Sequence, residues 1–329
     1  MTMRRKVLLA VLGILGLGLV GVSSAVALAV ATMDGRLQFP DTPSPQLAAS
    51  TDPVLIEQGR YLVHGPAHCA QCHSTDEREK PELSLTTPLR GGLAFAMGPL
   101  GTRYAPNLTP DAETGLGNVS DALVARALRA SVTHTGEVSF FMKFAAARLS
   151  DHDIVAVLSY LRSLEPVRNE VPQGVWYAFG KVLLRYAFAP LVPSAPEGPA
   201  HVPAQAEPSV ERGRYLAESV MMCVSCHTEV DMGTMAPSGP LLGGSLPDPS
   251  HGMDTAMEYV APNLTNHPTG IAGRLTEDAF VERMRGGRRH LSSIMPWEAF
   301  ASTTEGDLRS VYRYIQSVPP VDNDRGPTY

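Results

Sequence analysis

The sequence predicts an all-α protein: two tandem copies of one helical module behind an N-terminal apolar helix. Three observations predict it. An internal repeat runs at an offset near 154 residues, amphipathic helix signatures fall at matching places in both copies, and no sustained two-residue alternation reads as strand. Charge sets a further limit. With 27 Lys and Arg against 33 Asp and Glu, the chain has no basic surplus to neutralise phosphates, which excludes a general nucleic-acid binder.

The N-terminal element comes first. Arg4, Arg5 and Lys6 precede an uncharged, mostly apolar run from Val7 to Met33. A cleaved signal carries an apolar core of about 7–15 residues and a spanning helix needs about 20, so the run length favours a retained anchor over residues 1–33. Basic residues ahead of it place the rest of the chain on the periplasmic side of a bacterial inner membrane. Small-residue sites such as Ala25-Val26-Ala27 keep the alternative open: a cleaved signal peptide and a soluble periplasmic protein.

The repeat is read residue against residue. Ile56-Glu57-Gln58-Gly59-Arg60-Tyr61-Leu62 answers to Val210-Glu211-Arg212-Gly213-Arg214-Tyr215-Leu216, and Pro88-Leu89-Arg90-Gly91-Gly92 to Pro240-Leu241-Leu242-Gly243-Gly244. Ala105-Pro106-Asn107-Leu108-Thr109 recurs as Ala261-Pro262-Asn263-Leu264-Thr265. Asp52-Pro53 and Ser209 are helix starts, while Ser150 and Thr304, each followed three residues later by Asp, open the last helix of each copy. Those last helices carry apolar stripes: Ile154, Val157, Leu158 and Leu161, then Leu308, Val311, Tyr312 and Ile315. Middle helices fall at Ser120–Ala130 and Thr276–Arg285. Gly59 and Gly213 are suited to a close crossing with the final helix near Tyr160 and Tyr314. The copies occupy residues 51–168 and 209–322. The linker, 169–208, holds an apolar stretch at Val175–Ala189, read as a connecting or interfacial helix, and a proline-rich spacer at Val192–Pro208.

All four cysteines fall in two copies of one motif, Cys69-Ala70-Gln71-Cys72-His73 and Cys223-Val224-Ser225-Cys226-His227. C-x-x-C-H is the attachment pattern of c-type haem. Two thiols three apart reach the two vinyl groups on one porphyrin edge, and the next residue ligates the iron through imidazole. The chain is therefore predicted to hold two covalent haem c groups, with His73 and His227 as proximal ligands. A dithiol or zinc reading fits poorly, since both units are followed by His and neither adjoins a βαβ pattern.

The sixth ligands follow from register. Met142 lies 69 residues beyond His73 and Met295 lies 68 beyond His227, each after the middle helix. That match selects Met142 and Met295 over Met97, His134 and His290. Met295 is followed by Pro296 and Met142 by Lys143. The carbonyl of Pro88 or Pro240, with Pro81 and Pro237 as rivals, is the candidate acceptor of the proximal imidazole proton. Asn107 and Asn263 are candidates to bind a haem propionate or to make a turn. The histidines without repeat partners, His64, His68, His152 and His201 among them, read as surface residues.

With these residues assembled, the chain resembles the multihaem class I cytochrome c subunits of bacterial membrane-bound alcohol and gluconate dehydrogenases. The likeness runs from Asp52 to Val321 and rests on the G-R-Y-L entry helix, C-x-x-C-H, the Gly-Gly segment, A-P-N-L-T and the terminal Pro-Val. It implies His/Met ligation by His73 with Met142 and His227 with Met295. In those subunits the ligating Met is usually followed by Pro, as Met295 is and Met142 is not, which leaves the first iron's sixth ligand the more open. They usually carry three modules, against two here. The resulting expectation is an electron carrier, not itself a catalyst, between a periplasmic or membrane-bound dehydrogenase (or quinol-oxidising complex) and a downstream oxidase. The alternative is a dihaem peroxidase with an open ligand position at the first haem.

Overall fold

The structure is a computed structural model describing residues 3–33, 39–74, 88–139, 148–183, 198–231, 236–245, 260–289 and 293–324. Met142, Lys143, His290, Pro81 and the end of the apolar linker stretch fall outside the described residues.

Helix α1 (Met3–Met33) is the apolar N-terminal run, uncharged after Lys6. At 1.5 Å per residue its 31 residues extend about 46 Å, more than the hydrocarbon core of a bilayer. By length and composition it is able to cross a membrane.

Two helical units follow. In the first, α2 (Pro53–His64) begins where the Asp52 carboxylate accepts from Val54 N–H at 2.9 Å, with proline at the first helical position. One turn, α3 (Cys69–His73), holds the first cysteine motif; α4 (Asp121–Ala130) and α5 (Asp151–Ser163) complete the set. Ser150 Oγ caps α5 by accepting from Asp153 N–H at 3.1 Å. The predicted stripe of α5 is buried throughout and packs on α2. A short linker helix, α6, spans Ala178–Leu183.

The second unit repeats this order. It contains α7 (Val210–Tyr215), continued by a π turn through Val220, then α8 (Cys223–His227), α9 (Ile271–Arg274), α10 (Glu277–Arg285), α11 (Trp297–Ala301) and α12 (Glu305–Ser317). Ser209 caps α7 and Thr304 caps α12. As α2 crosses α5, so α7 crosses α12, and both crossings pivot on glycine. A Cβ on Gly59 would stand 2.7 Å from Tyr160 Cβ and nearer still to the Ala156 carbonyl. One on Gly213 would stand 2.8 Å from Tyr314 Cβ and nearer to the Ser310 carbonyl. Backbone touches backbone there, as the sequence predicted.

Strands are short. β1 (Ala94–Ala96), β2 (Gly101–Tyr104) and β3 (Val175–Trp176) form an antiparallel sheet in that order, with Phe95 opposite Arg103 and Thr102 opposite Val175. β4 (Val230–Asp231) pairs with β5 (Ala236–Pro237). The start of the stretch predicted as a connecting helix is thus strand, leading into α6. Gly101, at φ +145°, admits the Val175 carbonyl where a side chain would collide, so the linker docks on the first unit as sheet.

Candidate haem sites

The chain enters both cysteine motifs by the same backbone device. A six-residue turn closes first, Ala67 N–H to the Leu62 carbonyl at 2.9 Å and Met221 N–H to the Leu216 carbonyl at 2.7 Å. The next residue is left-handed, His68 at φ 43° and Met222 at φ 55°. One helical turn then brings the two cysteines of each motif to the same face, three residues apart. None of the four cysteines is joined in a disulfide. Burial pushes Cys69 and Cys223 up to about 12, opposite to the lowered thiol of a redox dithiol.

The histidines are held in one tautomer. His73 Nδ1 lies 2.9 Å from the Pro106 carbonyl and His227 Nδ1 lies 2.8 Å from the Pro262 carbonyl. A carbonyl only accepts, so Nδ1 carries the proton and Nε2 keeps its lone pair. Burial holds both imidazoles below their ordinary pKa, in the neutral form that ligates a metal.

These acceptors correct the expectation that Pro88 or Pro240 takes the proton. The Gly-Gly segment bonds the backbone of the histidine instead: Gly91 N–H to the His73 carbonyl at 2.7 Å, Gly244 N–H to the His227 carbonyl at 2.9 Å. The sequence register of this segment was also one residue out. Leu108 N–H bonds the Leu89 carbonyl and Leu264 N–H the Leu242 carbonyl, each at 2.8 Å. Leu89 therefore answers to Leu242 and Gly91 to Gly244, while Pro88 answers to Leu241. Gly91, at φ +69°, lies hard against the Pro106 backbone and so brings that carbonyl to the ring.

The asparagines are also reassigned. Asn107 is buried; its Nδ2 donates to the Val167 carbonyl at 2.8 Å and to Thr114 Oγ1 at 3.2 Å. Its Oδ1 accepts from Thr109 N–H and Oγ1. Asn263 makes the same four bonds to Val321, Thr269 and Thr265. Both amides are committed within the protein, which removes the propionate role and leaves a structural one. They strap the A-P-N-L-T loop to the tail behind the last helix. Asn169 and Asn323 complete the strap, donating to the Arg90 and Gly243 carbonyls at 2.8 and 2.7 Å. The sequence reading missed this second pair, although the repeat carries it as Val167-x-Asn169 and Val321-x-Asn323.

Met295 is partly buried against the core. Its loop is clamped by Arg288, whose Nε and Nη2 reach Glu298 Oε1 and Oε2 at 2.7 and 2.8 Å, while Nη1 donates to the Ser293 carbonyl. Arg283 lies over the Trp297 ring, 3.6 Å from its centroid. Among the histidines read as surface residues, His64 is in fact buried, its Nε2 2.8 Å from the Tyr160 hydroxyl.

Paired cysteine thiols, a neutral imidazole with Nε2 available and a thioether at matching register make up the donor set that a covalent haem requires. Comparison with known proteins agrees. Residues 56–165, which hold the first cysteine motif, match the cytochrome c family model. It is 30% identical over 288 residues to the cytochrome c subunit of the quinone alcohol dehydrogenase of Gluconobacter oxydans, covering 83% of this chain and 57% of that one. The gluconate 2-dehydrogenase cytochrome c subunit of Pantoea cypripedii is 28% identical over 82% of this chain and 60% of its own. A diheme cytochrome c-type protein of Cereibacter sphaeroides is 24% identical, over 77% of this chain and 83% of its own. The chain spans about three-fifths of the length of the dehydrogenase subunits it matches.

Proposed function

We propose that the protein is a dihaem cytochrome, with class I cytochrome c domains at 51–168 and 209–322, that relays electrons from a periplasmic or membrane-bound dehydrogenase to a downstream acceptor. The carrying observation is the matched pair of imidazoles, each donating Nδ1–H to the proline carbonyl of an A-P-N-L-T loop. Haem supplies reversible one-electron exchange when bound. Cys69 with Cys72 and Cys223 with Cys226 would hold the two groups, and His73 and His227 would offer Nε2 to the metals. The carbonyls of Pro106 and Pro262 keep each ring oriented and raise its basicity. Met295 and Met142 would supply the second protein ligand to each iron, a donor set that leaves no open position for substrate and favours a higher potential than a bis-histidine pair.

Helix α1 would keep both domains at the periplasmic face of the inner membrane, close to a membrane-bound donor; cleavage of the same segment would release them as a soluble carrier. Similarity to dehydrogenase subunits supports a dehydrogenase as donor.

Haem counting and spectroscopy on the purified chain test this. Two haems per chain are expected, falling to one in Cys223→Ser/Cys226→Ser, with both ferric irons low-spin and showing the far-red methionine-to-iron band. A high-spin ferric haem with peroxide turnover would instead establish the peroxidase reading.

A further inference from the structure

We propose that His152, Asp153 and His201 form a binding site for one divalent transition-metal ion of the Zn2+ class, where the first unit, the linker and the second unit meet. Ligand atoms of the three side chains lie within 4.8 Å of one another. Asp153 is the reason the site exists. Its side chain is fully buried, Oδ2 accepts from the Tyr215 hydroxyl, and Oδ1 has no hydrogen-bond partner. His152 Nδ1 lies 3.5 Å from Oδ1 and His201 Nδ1 lies 3.6 Å from it.

Those separations suit an ion better than a hydrogen bond. A tetrahedral ion with bonds of 2.0–2.1 Å sets its ligands about 3.3–3.4 Å apart. Both Nδ1 atoms flank the same oxygen, and the two imidazoles stack with centroids 3.9 Å apart and planes at 24°. Ser150 Oγ, 3.5 Å from His201 Nδ1, is already engaged as the α5 cap and beside the Tyr215 hydroxyl.

The repeat shows what Asp153 lacks. Its counterpart Asp307 has a cation: Arg212 reaches Oδ1 through Nε and Oδ2 through Nη2, each at 2.9 Å. The residue matching Arg212 in the first copy is Gln58, which carries no charge. Two nitrogens and one oxygen select Zn2+, Cu2+ or Ni2+ over Ca2+ or Mg2+. His152 is 44% exposed and His201 23%, which leaves an entry path and a fourth position for water. An ion here would fasten the linker to α5 and, through Tyr215, fix the second unit against the first.

The test is zinc titration of the untagged, haem-loaded full chain after EDTA treatment, by calorimetry and by zinc analysis after gel filtration. One zinc per chain is expected. His152→Gln and His201→Gln, both at partly exposed positions, are each expected to weaken binding at least tenfold at unchanged haem content. No uptake by the wild type, or wild-type affinity in either variant, overturns the site. The outcome is independent of the haem assignment, which haem counting reads separately.

Discussion

Tyr61 of the first unit donates its hydroxyl to Asp307 Oδ2 of the second at 2.7 Å, and Tyr215 of the second donates to Asp153 of the first. Both pairs follow the repeat offset of 154, so the two units exchange the same bond in both directions. Burial beside a carboxylate raises both phenols well above their ordinary pKa, which keeps them protonated as donors. The exchange is unequal, since Arg212 makes its direct ion pair with Asp307.

That inequality predicts a difference between two conservative substitutions. Tyr215→Phe strips Asp153 of its hydroxyl donor and should cost about 2–3 kcal/mol, whereas Tyr61→Phe leaves Arg212 in place and should cost about 1 kcal/mol. Denaturant unfolding of the haem-loaded variants measures both. Equal losses would contradict the asymmetric interface.

The glycine crossings predict the opposite response to one chemical change at three helix positions. Gly59→Ala and Gly213→Ala each force helices apart and should lose about 3 kcal/mol or more. Gly306→Ala, on α12, meets nothing within 4 Å and should gain up to about 1 kcal/mol from helix propensity. Thermal melts of the three variants side by side separate packing from propensity.

His64 predicts an acid sensitivity with a definite sign. Burial, followed by the nearby Arg60 charge, lowers its pKa from 6.5 to about 4. The folded state therefore favours the neutral ring, and the unfolded chain binds the proton more readily between those values. Its contribution is complete above pH 6.5 and is lost as pH falls through about 4. The loss by pH 4.5 is about 2–3 kcal/mol. Unfolding of His64→Gln at pH 7.5 and 4.5 should show that much less acid destabilisation than the wild type; an unchanged difference would remove His64 as the cause.

Arg288 is predicted to be a positioning residue for the Met295 loop. Arg288→Gln breaks the bidentate clamp on Glu298 and the bond to Ser293. The expected result is a weaker methionine-to-iron band and a lower potential for one haem, with haem content unchanged and partial rescue by Arg288→Lys. Loss of stability with an intact band would mark the clamp as structural only.

Much of this protein is determined by the sequence alone, because the features concerned are short-range. Asp52, Ser150, Ser209 and Thr304 cap helices within three residues of themselves, the apolar stripes of α5 and α12 follow helical period, and C-x-x-C-H completes its geometry within a single turn. Even the glycine crossings could be placed, since the repeat set Gly59 and Gly213 against the same partner helix. Tertiary structure decided what depends on chain segments far apart. The acceptors for the proximal histidines lie 33 and 35 residues downstream, at Pro106 and Pro262. Asn107 and Asn263 are engaged by a tail about 60 residues on, and backbone bonds to the histidine carbonyls, not the Pro-Leu spelling, set the Gly-Gly register. Tyr61 finds Asp307 across 246 residues. A hydrogen bond needs its partner within about 3 Å, and no local pattern encodes which distant carbonyl or carboxylate the fold delivers there.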